Sequence, residues 1–255
     1  MSPVQLTVTP RRAHSISLAS PLKLIFIFVG LIIIGTVLLS MPFTNRTGEF
    51  TPLMDALFTA TSAITVTGLV VQDTADYWTK TGHVVIMILI FVGGLGFMTM
   101  ASFLLILVGH RFTLTEGIFM KDSLQLDHFG GLGRLTIKVV IMAVAMQMAG
   151  FAALTSRFYV MPDYTISEAM WQAAFLSVSS FNSAGFVIFA EGSSVSSLQT
   201  DKFILGIMTA LICFGSVGYW VIVDISTHLK FSLYTLNTKL VLIITVILLV
   251  TGSIF

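Results

Sequence analysis

Five apolar runs dominate the chain: about Leu22–Met41, His83–Val108, Leu135–Ser156, Phe203–Ile225 and Thr238–Phe255. Crossing roughly 30 Å of hydrocarbon takes ~20 helical residues, and each run is near that length. Lipid offers no hydrogen bonds, so backbone at that depth is helical or shielded by other protein. Only 10% of the 255 residues are charged, against about a quarter in a soluble domain, which excludes a soluble globular fold. The fold class read here is all-α integral membrane.

The runs are joined unevenly. Thr51–Ala63 lies between the first two, with Thr51 as a candidate cap and Pro52 suited to a first turn. Thr165–Ser180 lies between the third and fourth, and Thr165-Ile166-Ser167-Glu168 matches a capping box. Both are too short to span. Each leads into a glycine segment: Thr65-Val66-Thr67-Gly68-Leu69 and Asn182-Ser183-Ala184-Gly185-Phe186. The unit is span, half-length helix, irregular segment, span, and it occurs twice.

The spacing supports a repeat. Gly68 and Gly185 are 117 residues apart. Gly93-Gly94-Leu95-Gly96 pairs with Gly215-Ser216-Val217-Gly218, and Gly96 and Gly218 are 122 apart. The serine-rich loop Ala190–Thr200 takes up the difference. Two spans per copy give both copies one orientation, so the repeats are parallel rather than inverted.

Arg11, Arg12, Lys23, Arg111, Lys121, Arg134, Lys138, Lys230 and Lys239, nine of the 13 basic residues, fall on one side. The positive-inside rule makes that side cytoplasmic, with the N-terminus. The other side carries eight of the 12 acids: Glu49, Asp55, Asp73, Asp76, Asp163, Glu168, Glu191 and Asp201. Both glycine segments then enter from the outer face beneath an acidic mouth. The N-terminus opens polar and lacks the pattern of a cleaved signal peptide. Cys213 stands alone, so no intrachain disulfide forms.

A half-helix entering from outside points its partially negative C-terminal end at the membrane middle. The residues that follow can offer carbonyls in place of a cation's hydration shell. Glycine permits the dihedrals such a segment needs. The candidate ion-binding residues are therefore Thr65, Val66, Thr67, Gly68 and Leu69 with Asn182, Ser183, Ala184, Gly185 and Phe186. Gly93, Gly94, Gly96, Gly215 and Gly218 are read as helix-packing positions or as a hinge. Asp55, inside the first half-helix, is the best-placed charge at the outer mouth. Other readings stay open on these residues: a re-entrant loop in another transporter, or a multi-pass membrane enzyme or assembly protein. Parallel copies argue against a substrate-gating loop of an inverted-repeat transporter. The spans hold no internal carboxylate or histidine pair, and no nucleophile elbow, metal-ligand spacing or phosphate loop is present, so the chain is not read as an enzyme.

Several segments resemble the Trk/Ktr/HKT potassium transporters, most nearly the bacterial Ktr-type membrane subunit. Ala56–Ala63 running into Thr65–Val71 is similar to that family's first pore loop. Gly93–Thr99 is similar to its first pore-lining helix, Ser179–Phe186 to its second pore loop, and Leu236–Leu242 to the start of its third repeat. The resemblance implies four helix–pore-loop–helix repeats around one pore in a single chain. It implies potassium uptake across the plasma membrane of a bacterium, with backbone carbonyls as selectivity filter and potassium, or sodium, as the bound ion. It also implies a homodimer of the full-length chain, a cytoplasmic nucleotide-binding ring protein as regulator, surrounding membrane lipid, and neither a covalent cofactor nor nucleic acid. On this pattern residues 1–21 are a cytoplasmic tail and 22–108 the first repeat. Residues 109–133 are a cytoplasmic linker, 134–226 the second repeat, and 227–255 a linker with the first helix of a third. Gly215-Ser216 departs from a usual double glycine. Two repeats are half of a four-loop ring, so the expectation is the N-terminal part of a longer protein. The alternatives are a half-size subunit, a sodium-coupled potassium symporter, or a non-conducting fragment.

Overall fold

The computed structural model describes residues 21–95, 132–161, 164–189, 201–218, 221–222, 224–225 and 231–254. Among them the chain forms helices α1 (Pro21–Ser40), α2 (Leu53–Ile64), α3 (Thr74–Tyr77), α4 (Lys80–Gly94), α5 (Leu132–Val160), α6 (Ile166–Phe181), α7 (Lys202–Val217) and α8 (Leu236–Ile254). Single 3-10 turns lie at Pro42–Thr44 and Phe231–Leu233. No strand occurs among the described residues, where Asn45 and Trp78 make an isolated bridge.

Within α5, Ile137–Val160 is the one stretch among the described residues both long and apolar enough to cross a membrane alone. The other long runs appear as shorter apolar helices, Ile25–Ser40, Lys80–Gly94, Lys202–Val217 and Leu236–Gly252. The run from His83 continues beyond Leu95, outside the described residues. The run from Phe203 is interrupted, because α7 stops at Gly218, whose φ is +87°.

The half-length helices begin as their sequences dictate, with one correction. Thr165 and Glu168 form the capping box at α6: Glu168 N–H donates to the Thr165 hydroxyl at 3.4 Å, and Thr165 N–H to the Glu168 carboxylate at 3.0 Å. At α2 the cap is Pro52, without a side-chain bond. Thr51 is turned away and its hydroxyl accepts from Asn45 Nδ2 at 2.8 Å.

Small residues bring each half-helix close to its neighbours. α2 buries Ala56, Thr59, Ala60, Ser62, Ala63 and Ile64 between α1 and α4. A Cβ on Gly35 of α1 would lie 3.3 Å from the Ala60 methyl and 2.9 Å from a Leu89 methyl. α6 sits likewise between α5 and α7, where a Cβ on Gly150 would lie 3.1 Å from Ser177 Oγ and 2.6 Å from a Leu211 methyl. Without a hydrophobic drive inside lipid, close backbone approach of this kind is what holds helices together.

Two buried clusters result. One joins α1, α2 and α4 around Leu39, Ile64, Trp78, Ile86 and Ile90. The other joins α5, α6 and α7 around Leu154, Phe158, Leu176, Ile204 and Leu211. They interlock: Ala184, Phe186 and Ile188, which follow α6, are buried in the first cluster, and Leu95, which follows α4, is buried in the second.

Candidate functional site

The site is built from the C-terminal ends of α2 and α6. At α2, Val66 N–H donates to Ala63 O at 3.3 Å and Thr67 N–H to Ser62 O at 2.9 Å. At α6, Ser183 N–H donates to Ser180 O at 3.0 Å and Ala184 N–H to Ser179 O at 2.8 Å. Both are Schellman endings, which satisfy two orphan carbonyls and need a left-handed residue just past the cap. Val66 supplies it in one with φ +55°, Ser183 in the other with φ +56°. Two residues on, Gly68 and Gly185 are left-handed again, at +75° and +76°. Each feature of the second ending lies 117 residues after its counterpart.

Glycine or asparagine is usual in the Schellman position. A β-branched Val66 there is an outlier, costing on the order of 1–2 kcal/mol. The Thr65 hydroxyl braces this turn by donating to Thr61 O at 2.7 Å. It also meets the Thr67 hydroxyl at 2.5 Å.

The two loops meet at their glycines. A Cβ on Gly68 would lie 2.4 Å from Ala184 O and 3.3 Å from Gly185 Cα. A Cβ on Gly185 would find only Gly68 Cα, at 3.6 Å. Of the ten candidate residues, Thr65, Thr67, Leu69, Ser183 and Gly185 are exposed, and Val66 and Gly68 are half-buried. Asn182, Ala184 and Phe186 are buried, and their side chains face protein. Phe186 O accepts from Ser179 Oγ at 2.6 Å, which ties the second segment back to its own half-helix.

Three of the glycines in the following helices are close-packing positions. A Cβ on Gly93 of α4 would lie 1.9 Å from Ile64 O, the end of α2. A Cβ on Gly215 of α7 would lie 1.8 Å from Phe181 O, the end of α6. At Gly94 the contact crosses between halves, since a Cβ would lie 2.0 Å from Asn182 Oδ1. Gly218 has no atom within 4 Å of such a Cβ, and its left-handed backbone ends α7. Gly96 lies outside the described residues.

Asp55 lies in the first turn of α2, half-buried, and accepts from Gln72 Nε2 at 2.9 Å. The place 117 residues later is Gln172, whose Nε2 donates to Ile188 O at 2.9 Å. Each bond clips the segment leaving the glycine back to its half-helix, at the first turn of α2 and the second turn of α6. Gln72, Gln172, Gly35 and Gly150 are contributors that sequence reading missed. The separation of the two glycines, 115 residues, is the signal that was there to find.

Two carboxylates outside the spans are held in their charged form. Hydrogen bonds from the Thr165 N–H and hydroxyl keep Glu168 below its ordinary pKa. Burial opposes the charge of Asp201, but Arg157 Nε at 2.7 Å and the N–H groups of Ile204 and Phe203 outweigh it and lower its pKa. Asp201 thus caps α7 while anchoring the last turn of α5. At the far end, Asp224 accepts from the N–H and hydroxyl of Thr235, both at 2.9 Å, just before α8.

A family described as TrkH, cation transport protein, matches residues 11–255. The chain is 37% identical over 236 residues to the potassium/sodium uptake protein NtpJ of Enterococcus hirae, covering 92% of this chain and 51% of that one. It is 36% identical over 236 residues to the Ktr system potassium uptake protein B of Vibrio alginolyticus, covering 92% and 50%. Against the protein of the same name from Bacillus subtilis it is 35% identical over 213 residues, covering 83% and 46%. The chain spans about half the length of the curated relatives it matches. These relatives are ion uptake proteins of bacterial membranes, not enzymes. With the family match running over nearly its whole length, the chain belongs to the TrkH family of cation transport proteins.

Proposed function

We propose that this chain contributes two of the pore loops of a potassium uptake protein, with backbone carbonyls after α2 and α6 as part of a selectivity filter. The observation carrying the reading is the pair of matched helix endings that meet at Gly68 and Gly185. Left-handed residues at every second place turn successive carbonyls toward one side of the chain, which a desolvated cation requires. The converging C-terminal ends of α2 and α6 favour positive charge there. The names of the relatives supply potassium as the ion.

On this reading residues 22–108 and 134–226 are parallel helix–pore-loop–helix repeats, the N-terminus is cytoplasmic and both loops face outward. The whole protein works as a homodimer under a cytoplasmic nucleotide-binding ring protein. A second reading, sodium-coupled potassium transport, is favoured by one observation: a relative is named for both ions.

The test is potassium-limited growth of a bacterium lacking its own potassium uptake. The 255-residue chain is compared with a version extended through the downstream reading frame. Rescue by either form, abolished by an early stop codon, is the expected result. Rescue by neither, with both forms present in the membrane, counts against potassium uptake. Rescue that needs added sodium favours coupling.

A further inference from the structure

We propose that Asn182 is a positioning residue, and that Gly94 is its seat on the other half of the molecule. This rests on the filter reading above. Asn182 closes α6 and is 8% exposed. Its Nδ2 donates to Val178 O at 2.8 Å, which leaves Oδ1 buried without a hydrogen-bond partner. That oxygen lies against α4. A Cβ built on Gly94 would be 2.0 Å from Oδ1, 2.3 Å from Cγ and 2.5 Å from Cβ of Asn182. The carboxamide therefore fills the space that any other residue at 94 would need.

Successive residues on a helix point about 100° apart. Gly93 and Gly94 can thus face two neighbours at once. Gly93 takes the last carbonyl of α2, and Gly94 takes the cap residue of α6. The glycine pair sits in the corner between the two half-helix ends. The first half of the chain sets the level of the second loop through this corner, which keeps Gly185 beside Gly68. The corresponding residue of the first loop, Thr65, makes the same bond to the carbonyl four residues back with a shorter side chain. Asn182→Thr should therefore keep the cap and remove Oδ1 from the seat, while the Cβ of residue 182 stays 2.5 Å from a Cβ at 94. At the position matching Gly94 in the second half stands Ser216, whose hydroxyl is 3.4 Å from that of Ser183. The second loop is thus contacted by α4 on one side and α7 on the other.

The test is a double-substitution cycle in the longest form of the protein that rescues growth. Thermal unfolding of the detergent-purified protein and the potassium-to-sodium uptake ratio are read together. Gly94→Ala is expected to lower the midpoint by several degrees, as overpacking of this kind does, and to cut the uptake ratio by about tenfold, a 1.4 kcal/mol effect. Asn182→Thr alone removes the carboxamide from its seat and should itself lower both. Combined with Gly94→Ala it should recover part of both relative to Gly94→Ala alone, since Oδ1 no longer opposes the new methyl. If Gly94→Ala does equal harm beside Asn182 and beside Thr, the seat is refuted. If unfolding shows the coupling but the uptake ratio never moves, the contact is only structural and the positioning role is refuted. A parent protein that moves no ion overturns the potassium reading, while the unfolding cycle still decides the contact on its own.

Discussion

A single backbone feature carries the functional reading at the residue scale: left-handed φ at Val66, Gly68, Ser183 and Gly185. The two glycines are not equivalent in their surroundings. Gly68→Ala forces a methyl against Ala184 O, whereas Gly185→Ala meets open space beyond Gly68 Cα. Both variants bear the left-handed cost of about 1–2 kcal/mol. Gly68→Ala should therefore lower the thermal midpoint more than Gly185→Ala, and a differential scanning measurement on both checks it. Asp55→Asn should reduce uptake more at low external potassium than at high, as expected of a charge that concentrates cations. An equal reduction at both would assign the residue to its Gln72 bond instead. Gly68 and Gly185 could be singled out from sequence because each follows a half-length helix, and Asp55 because it is the acid inside the first of them. The left-handed Val66 could not, because no residue preference points a β-branched side chain into that conformation.

At the scale of elements, each half-helix is held by glycines on the helices around it. Gly93→Ala and Gly215→Ala each drive a methyl into a backbone carbonyl, at Ile64 and Phe181. Each should cost about 1–3 kcal/mol, seen as a fall of several degrees in midpoint. Gly206→Ala on α7 has nothing within 4 Å and should be neutral or stabilising, since alanine is the better helix former. At the N-terminal end of α7, the lowered pKa of Asp201 means its stabilising contribution is complete above the ordinary aspartate range. That contribution is lost as pH falls through the depressed value. Asp201→Asn should thus lower the midpoint at neutral pH, and the gap from the parent should close as the pH is taken below the ordinary aspartate range. The helices and both half-length elements were legible from apolar runs and the capping box. Less legible were their ends. Pro52 rather than Thr51 caps α2, because Asn45 engages the Thr51 hydroxyl from a loop sequence periodicity does not see. The break at Gly218 likewise looked like any other glycine in a packing run.

In the whole molecule, the two halves are built alike and locked together. The segment after α6 is buried in the first cluster, and Leu95 is buried in the second. The match of the two helix endings was legible as a spacing of 117 residues. The interlock was not, because contacts between halves depend on how the copies turn toward one another, which spacing does not record. On the reading proposed above, the paired glycine loops choose the ion. The direct measurement is relative potassium and sodium uptake by cells carrying the parent protein, Gly68→Ser or Gly185→Ser, at matched amounts in the membrane. Either serine should lower the preference for potassium by about tenfold or more, the equivalent of 1.4 kcal/mol. An unchanged ratio in both variants would contradict it.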